Sequence, residues 1–305
     1  MGLAMLGAVS QGILWGVMVL GVFITYKLLD IADLTVDGSF ALGGSVCAVL
    51  VVSGVDPVLA IFAAMLAGMI AGAVTGFLHT VFEIPAILAG ILTQIALWSV
   101  NLRIMGKSNT PLLRVDTLFS SVTDATGLPQ NVASIIVGLI FAILIIVALY
   151  WFFGTEIGSA CRATGNNEAM VRALGVDTKV TKMIALTLSN GLVGLSGGLI
   201  CESQGYADIG MGTGAIVIGL AAIVIGEVLG RLTPGKLRSF GSRLTAAVVG
   251  SVVYFLIRAI VLQLGMDAND MKLISAVIVA LALCIPVVWE KYQLRRAYAR
   301  SAKAA

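Results

Sequence analysis

Runs of about twenty apolar residues recur along almost the whole of this 305-residue chain. Each is long enough to cross a hydrocarbon layer of about 30 Å as a helix, and no other feature restricts the fold so strongly. Charged residues make up 11% of the chain and hydrophobic ones 59%, against about 25% charged in a typical soluble domain. The sequence therefore predicts an all-α polytopic membrane protein of about 8–10 transmembrane helices. It is read as a single transmembrane domain over 1–305, with an interrupted second helix and a short helix in a cytoplasmic loop.

Nine spans are expected, near 8–27, 31–52, 57–78, 85–104, 131–153, 183–202, 214–230, 244–264 and 272–289. The first lacks a preceding positive charge and a small-residue cleavage site, so it reads as a span and not as a removed signal. Between the fifth and sixth lies a polar insert, residues 154–182, far longer than the usual connection of about two to eight residues. Placing its Arg162, Arg172, Lys179 and Lys182 in the cytoplasm puts the N-terminus outside and the C-terminus inside. Fourteen of the nineteen Lys and Arg residues then lie on the cytoplasmic side, as the positive-inside bias requires. Within the insert, NNEAMVRALGV (166–176) reads as a short amphipathic helix ending at a glycine, an element for another protein to hold. The basic tail, 289–305, reads as a helix on anionic lipid headgroups of the bilayer.

The second span opens IADLTVDGSFALGGSV, with Asp33 and Asp37 four residues apart ahead of a cluster of Gly and Ser. An interrupted helix is expected there, of the kind tolerated where it lines protein or a wet cavity. Two readings of the acids stand: N-caps at a membrane surface, or groups on a substrate path. Gly68, Gly72 and Gly76 share one face of the third span, which predicts close helix packing. Residues 105–130 read as an irregular exterior loop, with two readings equally open: a surface for an extracellular partner or a plain solvated loop. Glu227 and Arg258 are intramembrane charges and so functional suspects. Their depths, near opposite ends of their helices, argue against a direct pair.

Several motifs fail. GRLTPGKL (230–237) has Leu237 where a phosphate loop needs Ser or Thr, and no strand precedes it. GMGTG (210–214) lacks the third glycine of a dinucleotide fingerprint and reads as a tight external turn. His79 is the only histidine, and it has no acidic or cysteine neighbours of metal-site or triad spacing. Cys47, Cys201 and Cys284 read as helix fillers and Cys161 as a loop thiol. Catalytic and metal sites are expected to be absent, and without a basic stripe interleaved with aromatics nucleic acid is no partner.

DLTVDGSF (33–40), IPAILAGILTQ (84–94), NLRIMG (101–106), RATGNNEAMVRALGV (162–176), LSNGLVGLSGGL (188–199) and GLAAIVIGE (219–227) occur in an order that resembles a known family. The chain is similar, over essentially its whole length, to permease subunits of bacterial ABC importers in the branched-chain amino acid/ribose permease superfamily. It looks closest to the group paired with uncharacterised or aromatic-amino-acid-type binding lipoproteins. The resemblance implies a subunit of the bacterial cytoplasmic membrane that pairs with a second copy as a homodimer and imports a small polar solute, an amino acid. Its partners would be cytoplasmic ATPase subunits, which would bind ATP and Mg²⁺ while this chain holds no cofactor, and an extracytoplasmic binding protein. It makes 162–176 the coupling helix, with Arg162, Asn167, Glu168, Ala169, Arg172 and Gly175 as its contacts. The family pattern places a glycine six residues after the glutamate, whereas here Gly175 is seven after Glu168. Asp33, Asp37, Ser39, Thr93, Gln94 and Asn101 are the polar candidates for the substrate path.

Two other classes compete. An ion-coupled carrier would be expected to show internal repeats, and none is evident. An embedded enzyme or scaffold would leave either the missing acid–base set or the acidic pair unexplained.

Overall fold

In the computed structural model, residues 2–113, 115–232, 239–265 and a few helical positions between 273 and 284 are described. Eleven α-helices can be followed: α1 (Gly2–Phe23), α2 (Thr35–Val52), α3 (Pro57–Thr80), α4 (Ala86–Met105), α5 (Leu118–Thr126), α6 (Gln130–Gly154), α7 (Glu156–Asn166), α8 (Glu168–Ala173), α9 (Thr178–Gln204), α10 (Ala215–Leu232) and α11 (Phe240–Gln263). Each of the first eight expected spans corresponds to one of these helices. The ninth lies mostly outside the described residues, as do the basic tail and most of GRLTPGKL. Among the described residues, seven helices are long and apolar enough to cross a membrane, and α10 is a shorter apolar one.

Helix α9 is the axis of the bundle and its most enclosed member; α1, α2 and α3 pack on it, α10 and α11 pack on α1, and α4 lies against α2 and α3. Small residues permit this closeness. A Cβ at Gly68 would collide with the Asn190 carbonyl, one at Gly72 with that of Leu186, and one at Gly43 with Gly194. The glycine stripe of the third span thus does what its spacing predicts, since helices in lipid associate by packing and not by a hydrophobic drive.

The interruption expected in the second span falls ahead of the Gly/Ser cluster. Helix α1 ends in a π-turn, Ile24–Leu28, Asp30 takes a left-handed conformation with φ 56°, and α2 starts only at Thr35. From there α2 runs unbroken through Gly38–Gly44, because those residues are where α4 and α9 press against it. Helix α10 also starts inside the bundle. The preceding segment, 209–214, enters along α2, with Met211 against Gly44 and Gly212 against the Asp37 carbonyl. GMGTG is a run of tight turns, as expected, but a partly enclosed one: Gly212 lets bare backbone lie against α2.

At the bundle end opposite α7 and α8, residues 105–130 are more ordered than expected. Strand β1 (Asn109–Pro111) pairs antiparallel with β2 (Tyr206–Asp208). Helix α5 carries a capping box between Thr117 and Ser120, and the Leu118 amide donates to buried Glu202 of α9 at 2.8 Å.

Candidate functional site

The polar insert folds as two helices, not one. Helix α7 stops at Asn166, and Asn167 then caps α8, its side chain accepting from the Met170 amide at 3.0 Å. The break follows from Asn167 itself, whose extended backbone (φ −158°) ends one helix and begins the next. After α8 the chain turns through Gly175 at φ 84°, a left-handed residue of the kind that ends helices. Expected coupling residues 162–176 thus divide between two elements.

Those residues do different things. Arg162 points back toward the bundle, its guanidinium 5.4 Å from the Phe240 ring centre. Glu168 turns inward: it pairs with Lys182 of α9 at 2.8 Å and with Arg172 at 2.7 Å, and it accepts from the Thr178 hydroxyl at 3.1 Å. The Lys182 hydrogen bond holds its carboxyl below the usual carboxylate range, with Thr178 and Arg172 adding to the effect against partial burial. Beside the exposed Arg172 and Lys179, large apolar groups are also open to water: Met170 is 51% exposed, Leu174 73% and Val180 51%. Ala169 is exposed beside them. The charged residues of the motif drew attention first, but the i, i+4 pair Met170 and Leu174 was legible in the same spacing.

Cys161 is not a loop thiol. It is buried between α7 and α9, with its Sγ 3.5 Å from the Thr181 carbonyl, and burial pushes the thiol up to about 11.

The six path candidates separate. Asp33, Ser39 and Thr93 belong to one buried network. The Asn190 amide donates to Asp33 at 2.6 Å and accepts from Ser39 at 2.6 Å, and the Thr35 amide donates to Asp33 at 2.9 Å. Thr75 links Thr35, at 2.8 Å, to Thr93, at 2.9 Å. Asp33 thus tethers the start of α2, and Asn190 is the hub that the candidates omitted. Its signal was an Asn among glycines in an otherwise apolar run. Asp37 acts on another helix: its carboxylate accepts from the Gly214 and Ile216 amides at 2.8 and 3.0 Å, capping α10. Asn101 is buried and donates to the Gly38 carbonyl at 3.4 Å. Gln94 lies at the α2–α4 contact.

None of the six lines the large cavity, which holds about 960 Å³ at the end opposite α8. Its walls include Trp15, Phe40, Phe255, Asp208 and Arg258. Glu227 is elsewhere, between Lys27 (3.0 Å) and Arg243 (3.7 Å) near α8's end of the bundle, so it does not pair with Arg258. Among the described residues no group of acids, histidines and cysteines is arranged to hold a metal.

A bundle of apolar helices with a cavity at one end and a capped helix pair at the other is the build of a membrane transport subunit. The family model for the permease component of the branched-chain amino acid transport system matches residues 4–284, and the chain belongs to that family. It is 38% identical over 274 residues to the tyrosine transport system permease protein of Clostridioides difficile, covering 90% of this chain and 88% of that one. It is 32% identical over 278 residues to an uncharacterized protein of Rickettsia prowazekii, covering 90% and 95%. The ribose import permease protein of Escherichia coli is 30% identical over 168 residues, 54% of this chain and 50% of that one. No solved structure matches. The chain is thus a multi-pass bacterial membrane protein and the permease component of an ATP-driven importer. It is a transport subunit and not itself catalytic, and its family implies ATPase and binding-protein partners.

Proposed function

We propose that this permease imports an amino acid by alternating access, driven through α8 by a cytoplasmic ATPase. Helix α8 carries the reading. It is capped at its start, turned back at Gly175, anchored to α9 through Glu168, and still presents Met170 and Leu174 to water. Exposed apolar groups outside the spans mark a contact for another protein. The Glu168–Lys182 pair and the Thr164–Thr181 contact at 3.0 Å tie both short helices to the central helix, so a push on α8 moves α9 as a rigid body.

On this reading the α8 end is cytoplasmic, as the charge bias favours, and the N-terminus lies outside. ATP and Mg²⁺ sit in the partner ATPase and this chain holds no cofactor. A second copy completes a homodimer, and the binding protein docks at the β1–β2 and α5 end. An amino acid as substrate is supported by the likeness to the tyrosine transport permease and by the family's description.

The test is Met170→Glu with Leu174→Asp, made in the native complex. Both sites are exposed, so membrane insertion and yield should be unchanged. ATPase co-purification and ATP-driven uptake should fall by about tenfold or more, the scale of losing a contact anchor worth above 1 kcal/mol. Normal uptake and normal ATPase recovery in the double variant would remove α8 as the coupling element.

A further inference from the structure

We infer, on the reading above of α8 and of the outer face, that Glu202 is the positioning residue that makes α9 follow α5. Docking of the binding protein outside then reaches α8 through a single helix.

Helix α9 is fastened at both ends by other elements. At its inner end Lys182 holds Glu168 at 2.8 Å, and the Thr181 hydroxyl meets that of Thr164 at 3.0 Å. At its outer end Glu202 is 1% exposed. Its carboxylate accepts from the Leu118 N–H, the first amide of α5, at 2.8 Å, and from the Cys47 thiol of α2 at 3.4 Å. The helix is capped at Gly205, whose carbonyl accepts from the Leu112 amide at 2.8 Å, and β2 follows at once to pair with β1. Lys182 and Glu202 stand about 30 Å apart along one unbroken helix, at about 1.5 Å per residue. The glycines between them do not soften it. Gly194 lies against the Ala64 carbonyl and Gly197 against that of Phe40, with no room for a Cβ at either. A displacement at one end is therefore delivered at the other, as in a rigid-body shift of a packed helix.

Helix α5 is placed to start such a displacement. It packs on α6 and α9, it buries only Phe119, and its Ser121, Asp124 and Ala125 are exposed. The bond to Glu202 ties this surface helix to the centre of the bundle. A carboxylate enclosed among helices is costly unless its donors are in place, and the amide it takes lies at the positive end of α5. Moving α5 away strips a buried charge of its nearer donor, so α9 follows or the acid is left bare. An apolar side chain would close the outer end without that cost. What the acid adds is a joint that resists separation.

The test uses the permease with its ATPase in nanodiscs, and the purified binding protein, supplied with a mixture of the standard amino acids, as the probe. The readout is the ratio of ATP hydrolysis with the binding protein to hydrolysis without it. Leu118→Pro removes the N–H that Glu202 accepts, yet proline suits the first position of a helix, and the extended Thr117 before it (ψ 163°) is compatible with it. Leu118→Ala trims the same side chain and keeps the N–H. The alanine variant should keep the wild-type ratio. In the proline variant the stimulation should fall by about tenfold, the scale of one charged hydrogen bond, or vanish where it is smaller than that. Glu202→Leu should match the proline variant, and Glu202→Gln, which keeps an acceptor, should restore part of the ratio. The double variant Glu202→Leu with Leu118→Pro should be no worse than either single one, since both break the same bond. A wild-type ratio in Leu118→Pro would overturn the inference. So would a thermal midpoint and a basal rate that fall with the ratio intact, which would make Glu202 a structural brace only. The α8 reading is separable: normal stimulation in Leu118→Pro, beside lost uptake in the Met170→Glu and Leu174→Asp chain, sinks this joint and leaves α8 standing. A wild type that neither retains an ATPase nor responds to the binding protein sinks both.

Discussion

Two carboxylates anchor helix starts in this chain, and their surroundings make them opposites. Asp33 holds the start of α2 in the middle of the bundle, 2% exposed, against one amide side chain and one backbone N–H. Glu168 opens α8 at the bundle's end, its side chain 34% exposed, between two cations. Buried, a polar network must be complete or it is costly, because low dielectric penalises every group left unpaired. At the surface, water replaces whatever is lost. The deep anchor therefore fixes the broken-helix architecture, while the surface anchor can be loosened and remade, as an element that transmits a partner's motion must be.

The largest effect is expected from breaking the deep anchor. Asp33→Ala leaves the Asn190 amide and the Thr35 N–H without their acceptor in a site closed to water, costing about 1–3 kcal/mol for each buried group. The thermal midpoint of the detergent-purified chain should drop clearly and the yield fall. Asn190→Leu, which also takes from Ser39 its nearer acceptor and leaves it the Val36 carbonyl at 3.3 Å, should do the same. A midpoint shift no greater than that of Glu168→Gln would erase the difference between the two anchors.

The legibility of the sequence follows the same divide. The first eight spans were readable because apolar runs of membrane length have few other uses, and Gly68, Gly72 and Gly76 announced their contact by spacing alone. The end of α8 was readable too, since Asn167 and Gly175 are local signals that cap and stop a helix. The deep network was not. Asp33 finds Asn190 across 157 positions of sequence, and Asp37 caps a helix 177 residues away, pairings that no local pattern encodes. The cavity was hidden for the same reason: Arg258 was suspect as an intramembrane charge, but its place on one cavity wall with Trp15 and Asp208 is a product of the packing. GMGTG was readable as a turn but not as a contact, because glycine marks both an exposed turn and a close backbone approach, and only the neighbours tell them apart.

Glu168→Gln should have a small effect on stability, within about 1 kcal/mol, the range of solvent-screened pairs. Its effect on ATP-driven uptake should be the larger of the two, because α8 would lose its tie to Lys182. The stability difference should also depend on pH in a definite direction. Glu168's carboxyl is held below its ordinary value, so its contribution is present above the unfolded value, about 4.3. It is lost as pH falls through the lower folded value. Wild type and Glu168→Gln should therefore differ at neutral pH and converge in strong acid. A gap that widened on acidification would mean that the carboxyl is not stabilised by its cations.

The smallest effect tests whether the surface anchor holds the helices behind it. Cys161 belongs to α7 and is buried against α9, and its thiol is pushed up to about 11 by burial. Only thiolate attacks a maleimide or haloacetamide, so at pH 8 this cysteine should react far more slowly than a free thiol of ordinary value near 8.5. Glu168→Gln should speed that labelling modestly, by loosening α8 and with it α7, while the deep substitution Asn190→Leu should speed labelling only where it unfolds the bundle. Mass spectrometry of the labelled peptide resolves the two. If Cys161 in the wild type labels as fast as a free thiol, α7 does not rest on α9, and the mechanical link from α8 to the central helix is lost with it.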